Sequence, residues 1–267
     1  MPDNLAPAQP AADVPYRPSV MRTLRKSVAD AWLYLGLFVA VNVAWVVLLG
    51  LPLGVLGRLA TRYTVFALGI VLTVLTTAAG NAILFHVTNR MAHGEVSLRD
   101  FAAALAEHFL RSLALLVIIA AIVALGAFNV FFYLKVVSAP GWRIIGIIWG
   151  YVIALFALAM LYSYPVMIEQ KCGPLTAIKR SGLLVLDNPA YTLGLGAVLL
   201  LETTIVALPV RMAVPVMVGL SFLVLCFIQA GFVGLLANNA LLELLRKYEL
   251  TERKPDAGGG VPGDTGG

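Results

Sequence analysis

Glu202 is the one acidic residue that falls inside a long apolar run of this chain, the stretch 192–209. An ionised carboxylate at the centre of a bilayer costs a few kcal/mol, so such a group faces a bundle interior or a watery cavity and takes a partner. Thr203 and Thr204 adjoin it, Asn129 is placed at a similar depth, and Arg58, Arg62, Arg143 and Arg211 can snorkel inward from a span boundary. Two roles stay open for the intramembrane pair Glu202 and Asn129: a proton, ion or substrate site, or a polar clasp that fixes helix packing. No second acid or histidine inside a span completes a relay, which favours the clasp. Asn42, Asn81, Gln229, Asn238 and Asn239, also in or near apolar runs, are expected to make interhelical hydrogen bonds of about 0.6 kcal/mol each.

His86, His93 and His108 lie near Glu95 and Glu107, which invites metal chemistry. HExxH is absent and the three histidines do not read as one helical face, so no metal is expected. Cys172 and Cys226 stand in no CxxC or Cys/His spacing, and two cysteines make no disulfide framework. GxSxG, GxxxxGK[ST] and GxGxxG are all missing. No catalytic residue and no cofactor is therefore assigned, and the chain is read as a non-enzyme.

The elements that must hold these residues follow from composition. Of 267 residues, 60% are hydrophobic and 12% charged, with mean hydropathy +0.91. Soluble domains carry about 25% charged residues, so this chain has too little charge to coat a water-facing globule. Apolar runs at 32–57, 63–85, 112–134, 144–168, 192–209 and 213–243 each approach the roughly 20 residues that cross a bilayer. Open strands leave unsatisfied backbone in lipid, so the fold class is all-α, a polytopic membrane helix bundle of about six transmembrane helices. Residues 1–30 read as a disordered N-terminal tail without the pattern of a secretory signal, 31–248 as the membrane domain, and 249–267 as a Gly/Pro-rich tail.

Lys and Arg set the orientation. Arg22, Arg25 and Lys26 precede the first run, and most later basic residues fall on the same side, so both termini are expected in the cytoplasm of a cell with this multi-pass protein in its plasma or inner membrane. The net charge of +5 is spread between spans, which fits a membrane protein and argues against nucleic acid as a partner. The expected partner is the lipid bilayer itself.

Two cytoplasmic segments read as short amphipathic helices. Ser97-Leu98-Arg99-Asp100 has a capping-box arrangement, and Leu98, Phe101, Leu105 and Phe109 follow at helical spacing as a candidate interaction face. The second, Pro174 to Leu184, leads through Asp187-Asn188-Pro189 into the fifth run. The plan of span, polar turn, amphipathic helix and span thus occurs twice in parallel orientation, through duplication or because membrane loops commonly form interfacial helices.

Asn42-Val43-Ala44-Trp45, Leu51-Pro52, Thr76-Thr77-Ala78-Ala79-Gly80 and the stretch from Asn89 through Gly94-Glu95 to Asp100-Phe101 together resemble the YesL-like family of bacterial integral membrane proteins. Asp187-Asn188-Pro189 is also similar, and Ala78-Ala79-Gly80 departs from the Gly-Pro-Ala type of turn found there. The resemblance covers residues 30–248 and implies an accessory or regulatory role in carbohydrate uptake, with a transporter subunit as partner. The alternative is a membrane component of a small-molecule transporter that uses Glu202. A sugar-importer permease is disfavoured, because the stretch Thr176 to Gly182 lacks the acid and the spacing of a coupling-helix motif.

Overall fold

The structure is a computed structural model that describes residues 16–59, 63–137, 140–211 and 224–252. Among these residues the regular elements are all helical: α1 (Val20–Leu33), α2 (Leu35–Leu59), α3 (Tyr63–His93), α4 (Arg99–Phe131), α5 (Arg143–Glu169), α6 (Pro174–Asp187), α7 (Pro189–Arg211) and α8 (Ala230–Glu252). Four helical stretches, Phe66–His93, Arg99–Val136, Arg143–Glu169 and Phe227–Glu249, are long and apolar enough to cross a membrane. The pairs α1–α2 and α6–α7 also pass as pairs, bent by 95° and 105°. Among the described residues, four to six helical segments are therefore long and apolar enough to span.

Local chemistry explains the boundaries. Pro174 and Pro189 open α6 and α7, where a missing N–H costs nothing and the proline φ is already helical. Gly94, at φ 80°, closes α3. Its N–H donates to the Met91 carbonyl and the N–H of Glu95 to that of Arg90, the two bonds of a Schellman cap. Asp100 begins α4 by accepting from the Ser97 backbone N–H at 2.6 Å and from its hydroxyl at 3.1 Å.

Two expectations are corrected here. Residues 20–30, assigned to the disordered tail, form most of α1, which buries Thr23 and Ser27 against the bundle. The amphipathic segment after Ser97 is no separate helix but the first turns of α4, continuous with the apolar run behind it. Its buried stripe is Ala104, His108, Ser112 and Leu115, rotated from the expected face. Leu98 stands 73% exposed and Leu105 40%.

Helices α3, α5 and α8 pack against one another at the centre. Each also carries another helix: α2 and α4 lie on α3, α6 on α5, and α1 on α8. A fully buried serine marks each of the last three contacts, at Ser112, Ser181 and Ser27. One core cluster, with Phe38, Val41, Leu84, Val87, Met91 and Leu235, joins α2, α3 and α8. The other, with Tyr162, Met167, Leu195, Leu236, Leu241 and Leu244, joins α5, α7 and α8. Outside, Leu125, Phe128, Ile148 and Tyr151 are exposed, a surface suited to lipid and not to water.

Asn42, Asn81, Asn238 and Asn239 bond between helices, as expected of them, whereas Asn129 bonds its own helix. Asn81 accepts from the Trp45 indole at 3.0 Å and donates to the Tyr164 hydroxyl at 3.2 Å, tying α2, α3 and α5. Asn238 donates to the Thr88 hydroxyl at 2.9 Å. Close approach needs glycine: a Cβ on Gly231 would lie 2.3 Å from the Asn42 amide nitrogen and 2.8 Å from the Phe38 ring.

Candidate functional site

Helix α3 has 31 residues, about 46 Å at 1.5 Å per residue, against a hydrocarbon core of about 30 Å. Its polar side chains gather in its last turns. Those turns carry His86, Asn89, Arg90 and His93, which at spacings of three, one and three share one helical face. The reading that the histidines share no face is corrected for His86 and His93, which lie two turns apart on α3. His108 comes from α4, which runs back along α3.

These side chains line a cleft of about 460 Å³ together with Glu95, Asp100, Ala103, Glu107, Ile168, Glu169 and Lys171. Asp100 organises one wall. Besides capping α4, its carboxylate lies 3.7 Å from Arg90 Nε and 3.9 Å from His86 Nε2. Arg90 also pairs with Glu95 at 3.1 Å. Glu169 organises the other wall, accepting from the Asn89 amide at 2.8 Å and lying 3.5 Å from His93 Nε2. Asn89 is in turn 3.4 Å from Asn238, so the three inner helices meet in polar contact at this point.

The interior of the cleft is less satisfied than its walls. The His86 and His108 rings pack at 5.0 Å between centroids. Both Nδ1 atoms, and Arg90 Nε, are buried without a hydrogen bond. Such groups cost about 1–3 kcal/mol each when left unpaired. Lys171 enters the cleft from the α5–α6 turn at φ 48°, a left-handed conformation uncommon for a side chain other than glycine. Strain of this kind concentrates at functional positions. With Arg90 and Lys171 against four carboxylates, the lining mixes donors and acceptors, and no serine, threonine or cysteine joins it as a nucleophile. Among the described residues no group of three His, Cys, Asp or Glu is placed to hold a metal ion.

The residues expected from sequence are distributed differently. Glu202 lies on α7 in a separate apolar groove of about 350 Å³ with Val198, Leu201, Ile205, Val224, Ile228 and Phe232. Gln229 and Thr203 are the polar side chains against its carboxyl, while Glu202 Oε2 and Gln229 Oε1 stay buried without a hydrogen bond. Asn129 is half-buried and donates to the Leu125 carbonyl of its own helix. Thr204 likewise donates to Leu200. The side chains of Arg58, Arg62 and Arg211 lie outside the described residues. Phe101 and Phe109 are half-buried, and Phe101 packs on the cluster of α2, α3 and α8.

Next to the cleft, α1 is fastened by charge. Lys26 Nζ donates to Asp30, to Asn239 and to the Ala92 carbonyl at 2.8, 2.7 and 2.9 Å. Arg22 pairs with Glu243 at 2.9 Å and donates to the Tyr16 hydroxyl at 2.7 Å. Partial burial, then the hydrogen bond and field of Glu243, raise the Tyr16 phenol above its ordinary pKa. Asn89, Arg90, Asp100 and Glu169 were not among the site residues expected from sequence, although the spacing from His86 to His93 on one helix was a usable signal for the first two. No family model, curated protein or solved structure matches this chain.

Proposed function

We propose that this chain is a multi-pass protein of the cell membrane, crossing six times with both termini in the cytoplasm, and that it acts without catalysis as an accessory or regulatory protein of carbohydrate uptake. The observation that carries the reading is the cleft: its histidines and arginine are held in place by walls of paired charge, yet three buried nitrogens inside it have no hydrogen bond. It lies between the last turns of α3 and the first turns of α4, with the α5–α6 turn, as a docking site for a partner at the end of the bundle would. The exposed Leu98 and Leu105 on α4 extend the same end with apolar surface for a transporter subunit. The link to carbohydrate uptake rests on the YesL-like resemblance of residues 30–248.

Leu98→Asp with Leu105→Asp tests this without touching the core, because both side chains are exposed, whereas Phe101 is packed on it. Loss of central apolar anchors typically costs 2 kcal/mol or more of binding. Co-purification of the sugar-transporter membrane subunit in mild detergent is expected to fall about thirtyfold with the yield of the chain unchanged. Undiminished co-purification, or none with the unaltered chain, overturns the proposal.

A second reading is favoured by one observation, the Oε2 of Glu202, buried without a hydrogen bond beside an apolar groove. In it the chain is a transporter component and Glu202 carries a proton or substrate contact. Glu202→Gln is then expected to abolish growth of the host on the transported sugar, and wild-type growth sinks this reading.

A further inference from the structure

Helices α1 and α6 are built alike, residue for residue at one constant offset. Each has 14 residues. Thr23 and Ser27 of α1 are buried against the bundle, and so are Ala177 and Ser181 of α6. Arg25-Lys26-Ser27 corresponds to Lys179-Arg180-Ser181. A single residue then breaks the helix, Tyr34 in one case and Asn188 in the other, at the same offset, and the chain turns by 95° or 105° into an apolar helix.

The outward faces match as well. Met21, Arg25, Val28 and Trp32 form one exposed stripe on α1, and Leu175, Lys179, Gly182 and Leu186 form its counterpart on α6. Trp32 is 77% exposed, Leu175 69% and Leu186 65%. Each stripe has one cation in it, and among the described residues neither Arg25 nor Lys179 has an ion-pair or hydrogen-bond partner. The neighbouring cations do: Lys26 holds Asp30, and Arg180 donates to Gln170.

A helix at right angles to the apolar helix that follows it lies in the membrane plane when that helix spans. An exposed stripe of leucine, methionine and tryptophan then sits at the boundary between acyl chains and headgroups, where tryptophan is enriched. A lone cation within such a stripe reaches headgroups and no protein anion. We infer that α1 and α6 are twin interfacial helices that bind the anionic phospholipid leaflet, with Arg25 and Lys179 as the headgroup contacts. This rests on the membrane reading and is independent of any role in carbohydrate uptake.

The test uses the full chain in phosphatidylcholine nanodiscs containing brominated lipid, with the signal of Trp32 isolated as the difference between the unaltered chain and Trp32→Phe. Brominated phosphatidylglycerol is expected to quench that signal as though enriched about fivefold over brominated phosphatidylcholine, since one cation near the surface contributes about that factor. Arg25→Gln removes the preference while quenching by phosphatidylcholine persists. Leu186→Trp reports on α6 in the same way, with Lys179→Gln removing its preference. Trp32 unquenched by either lipid places α1 out of the membrane or under a protein partner and overturns the inference. Equal quenching by both lipids, or a preference that survives Arg25→Gln, overturns the headgroup assignment. All the substituted side chains are exposed, so folding survives, and the unchanged signal from the half-buried Trp45 checks that it has.

Discussion

Gly231→Val is expected to destabilise the bundle by about 2–3 kcal/mol, the upper range for forcing extra carbon into a packed core. The site has no slack. A Cβ there would meet the Asn42 amide nitrogen at 2.3 Å and the Phe38 ring at 2.8 Å, and both neighbours are buried in the contact of α2 with α8. The backbone is engaged too, because Gly231 N–H donates to Asn42 Oδ1 at 2.7 Å. The π-helical turn at Leu225–Gln229 precedes it, and the change from π to α register is where a backbone N–H becomes free to meet a side chain. Thermal unfolding followed by size exclusion in mild detergent measures the effect. The smaller change Gly231→Ala gives the sharper check. In an Asn42→Ala background its cost is expected to shrink by about 1 kcal/mol, because the nearer of the two obstacles has gone. Strict additivity of the two changes would show that the close approach to Asn42 does not limit this contact.

Lys26→Met is expected to loosen α1 from the bundle by about 1–2 kcal/mol. Its ammonium joins Asp30 on α1, Asn239 on α8 and the Ala92 carbonyl at the end of α3. Hydrogen bonds from a charged group are worth about 1.5–3 kcal/mol. The side chain is 46% exposed, and solvent screening lowers that figure. The carboxylate left behind is the larger concern, since Asp30 is only 16% exposed and keeps a single donor, the Asn239 amide. Hydrogen exchange across Val20–Leu33 is expected to rise selectively. Lys26→Met with Asp30→Asn should recover part of the protection, because the second change removes the unpaired charge. Protection of α1 equal to that of the unaltered chain would show that Thr23, bonded to Tyr191 at 2.6 Å, and the Arg22–Glu243 pair hold the helix without Lys26.

These two sites show where sequence reasoning stops. The run 144–168 corresponds to α5 at Arg143–Glu169, and 63–85 lies within α3. Such agreement is expected of a signal that is local: a long apolar run in lipid has one way to satisfy its own backbone. The start of α1 was read as tail because a 14-residue helix with three basic residues in its first two turns carries weak propensity alone. Its stability comes from Asn239 and Glu243, more than 200 positions away. The cleft was half legible. Four polar residues on one face of α3 could be counted from spacing, but Asp100 and Glu169 join them only because α4 and α5 pack on either side.

What the sequence by itself determined is the all-helical class and the apolar runs long enough to cross a membrane, because hydropathy and helical period are properties of consecutive residues. It also determined that polar groups gather toward one end of the chain's helices. Which polar groups meet was decided by tertiary structure alone. Glu202 stood out in sequence for its rarity, yet it lines an apolar groove, while Asn89 sits where α3, α5 and α8 meet in polar contact. The physical reason is that a hydrogen bond or ion pair depends on distances of about 3 Å between residues of different helices. Those distances follow from helix packing that no stretch of the chain contains within itself.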